Sequence, residues 1–135
     1  MRYMALDLGN RYIGIALSDA LGMIARPVKV IKRTSRVNDY TIYNQLITEN
    51  NVQAVIVGLP INMDGSEGKQ ANWVRDYMEA FSSTTDIPVH FWDERLTTEI
   101  ASDIVKENRK SPTHARVDAV AAAVILQSYL DNHTG

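Results

Sequence analysis

The sequence predicts an α/β domain, a mixed five-stranded sheet with helices on both faces, and three observations carry that prediction. The first third reads as consecutive short strands, the remainder alternates between β and α patterns, and 135 residues with 45% hydrophobic content suit one core. Residues 3–8 and 13–18 are apolar stretches separated by Gly9-Asn10-Arg11, a turn cluster that implies a β-hairpin. A third run, 24–31, contains Pro27, which cannot donate a ladder hydrogen bond and so belongs on an edge strand or bulge. Residues 39–48 set Ile42, Leu46 and Ile47 near helical spacing. A β-branched strand over 52–57 follows and stops at Gly58-Leu59-Pro60. Val74, Met78 and Phe81 repeat at helical spacing over 71–81, and 89–92 is again a strand. Thr97 or Thr98 caps a helix to residue 107, and Ser111-Pro112 opens a last helix that reaches residue 130.

Composition excludes several classes of function. With 22% charged residues, seven Gly and four Pro, the chain is neither disordered nor fibrous. Zero cysteines remove disulfide frameworks, thiolate nucleophiles and sulfur-ligated zinc, and suit a reducing cytosol. Asp7 interrupts the stretch where an export signal needs unbroken apolar residues, so a cytoplasmic protein is expected. The longest apolar run, residues 119–126, falls far short of the ~20 that span a bilayer, so no membrane partner is expected. His90, His114 and His133 lack metal-binding spacing. The segment Gly65-Ser66-Glu67-Gly68-Lys69 is no nucleotide P-loop, because its glycines are too close and Gln70 follows the lysine. Net charge is −2, yet Arg26, Lys29, Lys32, Arg33 and Arg36 form a run free of acids, a candidate contact for a phosphate backbone or simply a solvated edge.

Three acids stand where acids are costly. Asp7 lies within the first strand, on the face of Tyr3 and Ala5, opposite a second strand whose Gly14, Ala16 and Ser18 leave space above the sheet. Asp118 stands at the head of the least polar stretch of the chain, in a helix apolar nearly all round and therefore buried. Asp93 and Glu94 end a strand and alternate to opposite faces, so only one of them can meet Asp7; periodicity does not choose. Carboxylates on two strand ends and one helix supply the hard oxygen ligands of Mg²⁺ or Mn²⁺. Two such ions ~4 Å apart could hold an attacking water and stabilise a leaving phosphodiester oxygen.

The strings Ala5-Leu6-Asp7-Leu8-Gly9, Gly58-Leu59-Pro60-Ile61-Asn62-Met63-Asp64-Gly65, Asp93-Glu94-Arg95-Leu96-Thr97-Thr98 and Arg116-Val117-Asp118-Ala119-Val120 occur in that order. Over essentially the whole chain they resemble the YqgF (RuvX) family, RNase H-like proteins that carry the names pre-16S rRNA nuclease and Holliday junction resolvase. The resemblance implies the sheet order 3-2-1-4-5. It also implies Asp7, Glu94 and Asp118 as the metal-holding catalytic acids, with two ions when substrate is bound, and leaves Asp93 a structural role.

The expected function is a divalent-metal-dependent endonuclease that processes the 5′ end of pre-16S rRNA during ribosome assembly. The alternatives are resolution of four-way DNA, which calls for a homodimer rather than a monomer, and non-catalytic RNA binding through residues 26–36. Expected substrate contacts are Asn62 and Asp64, Arg95 and Arg116 beside the acids, and Lys32, Arg33 and Arg36. For Asp64 the competing role is an Asp-Gly turn, and for the two arginines pairing with an acid.

Overall fold

The computed structural model describes residues 1–107 and 117–133, the side chains of residues 117 and 118 excepted. The hairpin forms as its alternation requires: β1 (Tyr3–Leu8) and β2 (Tyr12–Ser18) pair antiparallel, with Ala5 opposite Ala16 and Asp7 opposite Gly14. Strand β3 (Ala25–Lys32) adds to β2 at the sheet's margin. Its pairing slips between Ile15, which faces Lys29, and Ala16, which faces Pro27, so Val28 is the extra residue of a bulge beside the proline. Strands β4 (Ala54–Leu59) and β5 (Val89–Asp93) join parallel on the other side of β1. The order is β3-β2-β1-β4-β5, as the family resemblance implied.

Alternation along β1 and β2 gives the sheet two unlike faces. Met4, Leu6, Leu8, Ile13, Ile15 and Leu17 face helices α1 (Arg36–Asn50) and α2 (Lys69–Ser82) in a core of large side chains. Ala5, Ala16 and Ala25 face α4 (Val117–His133), with α3 (Glu99–Glu107) packed on it. Small residues on the sheet meet Ala122 and Ala123 on the helix, so α4 seats deeply against β1, β2 and β3. Its one long buried polar residue, Gln127, accepts from Ala25 N at 2.9 Å and donates to Met23 O at 3.0 Å, which pins the helix to the edge strand. No described helix is long and apolar enough to cross a membrane.

Helix α1 departs from its expected face. Tyr40, Tyr43 and Ile47 are its buried apolar residues, whereas Leu46 is only partly buried and Ile42 lies between. A count of aliphatic positions passes over tyrosine, which buries a ring while carrying a polar tip that needs a partner. Those partners are present. Asp39, 1% exposed, accepts from Thr34 N at 3.2 Å and from the Tyr77 hydroxyl at 2.9 Å. The Tyr43 and Tyr77 hydroxyls lie 2.8 Å apart, and Tyr40 donates to Tyr77 O at 2.6 Å. Burial pushes the Tyr43 and Tyr77 hydroxyls far above their ordinary range, so both remain neutral donors. Tyr77→Phe strands Asp39 and Tyr43 short of a partner and should lower unfolding free energy by about 1–3 kcal/mol in denaturant titration.

The remaining boundaries moved little. Helix α1 begins at Arg36 because Ser35 caps it, accepting from Asn38 N. Of the two threonines expected as caps, Thr98 is the one that caps α3, accepting from Ala101 N at 3.0 Å. Strand β4 does not stop before Gly58 but runs through it to Leu59. The expected helix start at Ser111-Pro112 lies outside the described residues.

Candidate active site

Strands β1, β4 and β5 run parallel, so their carboxyl ends share one edge of the sheet, the position where such sheets place ligands. Asp7 is the penultimate residue of β1 and, by alternation from Ala5, lies on the α4 face. Glu94 follows β5 directly and opens a single 3-10 turn, Glu94–Leu96. Asp7 and Glu94 line one cleft of about 350 Å³ together with Thr97, Ala121, Val124 and Ile125.

Between these two strands lies β4, and its residue at this level is Gly58, one past the Leu6–Val57 pair and opposite Trp92. A Cβ there would stand 2.6 Å from Ile125 Cδ1 and 2.7 Å from Glu94 Oε1. The missing side chain is therefore the space the Glu94 carboxylate occupies as it leans across β4. Burial pushes the Glu94 carboxyl above its usual range, and the charge of Asp7, followed by that of Asp93, pushes the same way.

The turn holds Glu94 by its backbone. Thr97 donates to Glu94 O through both its N–H, at 3.2 Å, and its hydroxyl, at 2.9 Å. Asp93 caps the turn by accepting from Arg95 N at 2.9 Å and binds the Arg95 guanidinium at 2.8 Å, which draws its carboxyl below the usual range. The two acids that periodicity could not separate thus have different surroundings, Glu94 in the cleft and Asp93 on the arginine outside it. Asp118 stands in the first turn of α4, three residues before the cleft-lining Ala121; its side chain, like the whole of Arg116, lies outside the described residues. Among the described residues no three potential metal ligands gather, and Asp7 and Glu94 are the acids of the cleft.

The family model described as "RuvX: Holliday junction resolvase" matches residues 1–132. The chain belongs to the RuvX family of nucleases. Among similar proteins, one of Halothermothrix orenii is 42% identical over 97% of this chain and 95% of its own length. One of Anaeromyxobacter sp. is 44% identical over 97% of each. Both bear the name "Putative pre-16S rRNA nuclease". Among solved structures, Thermus thermophilus RuvC in complex with a Holliday junction substrate superposes with a TM-score of 0.62 at 14% identity, covering 99% of this chain and 97% of that one. The fowlpox virus resolvase with Holliday junction DNA does so with 0.59 at 12%, covering 98% of each. These neighbours share the RNase H-like fold of resolvases.

Elsewhere in this RuvX chain Asn62, Asp64, Arg33 and Arg36, four of the expected substrate residues, have partners of their own. Asp64 Oδ1 accepts from Ser66 N at 2.9 Å and Ser66 Oγ at 2.6 Å, the turn geometry anticipated for Asp-Gly, and Asn62 Nδ2 donates to Ser66 Oγ at 3.0 Å. These bonds, and more weakly the charge of Arg95, hold the Asp64 carboxyl below its usual range. Lys32 is exposed at the end of β3, and Arg36 pairs with Asp76 at 3.0 Å on the surface. Arg33 donates to Gly9 O at 3.1 Å and Asn10 O at 3.0 Å, and its guanidinium lies 4.1 Å from the Trp73 ring centroid. It ties the β1–β2 turn, two residues beyond Asp7, to α2. Arg33→Ala should therefore cost roughly 1–3 kcal/mol of stability. Lys32→Ala, at an exposed position, should leave the melting temperature unchanged. Equal melting temperatures for the two variants would return Arg33 to the solvated surface.

Two residues that shape the cleft, Gly58 beneath Glu94 and Thr97 in its lining, lie outside the set the sequence points to. A glycine inside a strand marks close approach of another group, but the strand pattern in the sequence ends at residue 57, and only the structure carries β4 through Gly58. Thr97 offers no signal, since a threonine after a strand is equally a cap.

Proposed function

We propose that this RuvX chain is a divalent-cation-dependent endonuclease that hydrolyses phosphodiester bonds in structured RNA, with the 5′ end of pre-16S rRNA in ribosome-assembly intermediates as its target. The observation that carries this reading is the convergence of two half-buried carboxylates, Asp7 and Glu94, over the bare backbone of Gly58. Partly desolvated like charges are unfavourable unless a cation offsets them, and the donor set is all oxygen, which suits Mg²⁺ or Mn²⁺. Asp7, Glu94 and Asp118 would hold the metal, which when bound supplies an activated water and stabilises the leaving oxygen.

The remaining work belongs to the chain's own groups. Gly58 makes room for the Glu94 carboxylate, Thr97 holds that residue's carbonyl, and Asp93 restrains Arg95 at the rim. Arg95, Arg116, Asn62 and Lys32 are the groups assigned to phosphate or sugar contacts. The names of the relatives favour RNA, whereas the family description and the RuvC-like fold accommodate a branched DNA substrate.

Matched precursor RNA and four-way DNA, each incubated with purified protein and Mn²⁺ before and after chelation, separate the readings. Cleavage of RNA alone, lost on chelation, is the expected result. Paired symmetric cuts in DNA by a particle of dimer mass indicate a resolvase, and RNA binding without cleavage indicates an assembly factor.

A further inference from the structure

Met63 is 93% exposed, the largest exposure among the large hydrophobic side chains of the described residues. Folding gains nothing from it, yet the loop that carries it is firmly built. Asn62 N donates to Ser66 O and Gly65 N to Asn62 O, both at 2.9 Å, and Gly65 at φ +88° permits the reversal. Beyond the reversal, Glu67 forms a two-pronged pair with Arg75 of α2 at 2.6 and 2.9 Å, anchoring the loop's far end. The loop lies on the rim of the acidic cleft, since a Cβ on Gly65 would stand 3.9 Å from the guanidinium of Arg95, the residue next to Glu94. On the same 3-10 turn Leu96 is 48% exposed. An arginine and two apolar side chains thus flank the acids, a composition suited to the backbone and base faces of one nucleic-acid strand.

We propose that Met63 enters the base stack of the substrate beside the scissile phosphate, so that the preferred substrates are nucleic acids with a break in stacking: a bulge, a branch or a single-strand to double-strand boundary. The inference rests on the nuclease reading above. Apolar side chains, methionine among them, wedge between base steps at the cost of unstacking, and that cost is least where stacking is already interrupted. The polarisable thioether packs on any aromatic face, so recognition follows substrate shape rather than sequence. A braced loop presents the side chain in place, which limits the ordering lost on binding to the side chain itself.

The test uses full-length Asp7→Asn, to prevent cleavage, with the fluorescent base 2-aminopurine placed beside a one-nucleotide RNA bulge, at the branch of a four-way DNA junction, and in perfect duplexes. Anisotropy of an end label reports binding independently. Expected is a rise in 2-aminopurine emission on binding the bulge or the branch but not the duplexes. That rise should be lost in Asp7→Asn/Met63→Ala and kept in Asp7→Asn/Met63→Leu. Which probe responds identifies RNA or branched DNA as the source of the step. Binding with the same emission rise in Met63→Ala overturns the wedge alone. Absence of binding to every probe overturns the nuclease reading and the wedge with it. Melting curves check that each variant is folded, which the exposure of Met63 favours.

Discussion

Glu94→Gln should lower metal-dependent cleavage by more than about 100-fold while stabilising the metal-free fold at neutral pH. Losing a group that merely supports a metal ligand already costs about 10–100-fold, and loss of Glu94, proposed above as a ligand itself, should exceed that. The stabilisation follows from the same location. Burial first, and the charge of Asp7 second, raise the Glu94 carboxyl above its ordinary 4.5, so its ionised form is disfavoured in the folded state relative to the unfolded one. The folded state therefore holds its proton more tightly. That contribution to stability is fully present below about pH 4.5 and is lost as pH rises through the elevated folded value. Glutamine, which never ionises, escapes the loss. In chelator, the variant should melt above the parent at neutral pH, with the difference closing below the ordinary carboxylate range. A difference independent of pH would mean that neither burial nor the charge of Asp7 acts on Glu94. Asp93→Asn serves as the contrast: it loosens the pair with Arg95 and the cap of the 3-10 turn, so it should lower stability slightly and leave most of the activity.

Gly58→Ala should abolish most activity with the fold retained. The added Cβ would meet Cδ1 of Ile125 and Oε1 of Glu94, at the far ends of side chains that can rotate away, and would also crowd Glu94 Cγ at 3.2 Å, so the whole Glu94 side chain must shift. The backbone is not forced to move, so the stability cost should remain near that of an overpacked core position, about 1–3 kcal/mol. What rotates away, however, is the carboxylate proposed to hold the metal, and displacement of such a group by about 1 Å costs on the order of 100-fold in rate. The double variant Gly58→Ala/Ile125→Val separates the two clashes. It should regain stability, because the Cδ1 atom is gone, and should remain inactive, because Glu94 is still displaced. Activity returning together with stability would assign the effect to the wall of the cleft and not to Glu94.

Both expectations depend on neighbours that lie far apart in the chain, and the same division separates what was legible in the sequence from what was not. Local chemistry determined the hairpin at Gly9-Asn10, the marginal place of the Pro27 strand, a threonine cap at Thr97 or Thr98 and the alternation that puts Asp7 on the side of Ala5. Each follows from backbone rules acting over a few residues: a turn type, a missing N–H, a period of two. The cost of an acid in a strand likewise marked Asp7 before any partner was known. Tertiary structure alone decided the rest. It set Glu94 in the cleft by a 3-10 turn that ends the strand's alternation, so the choice between it and Asp93, which the family resemblance implied, was beyond periodicity. It turned the Tyr40 and Tyr43 face of α1 toward Tyr77 of α2, a partner more than thirty residues distant in sequence for both hydroxyls. It committed Arg33 to the β1–β2 turn and Trp73, where the charge run allows either a phosphate-binding patch or a solvated edge. The physical reason is common to all three: a side chain's partner depends on which elements the sheet order brings together, and Gly58 matters only because β4 lies between the strands that carry Asp7 and Glu94.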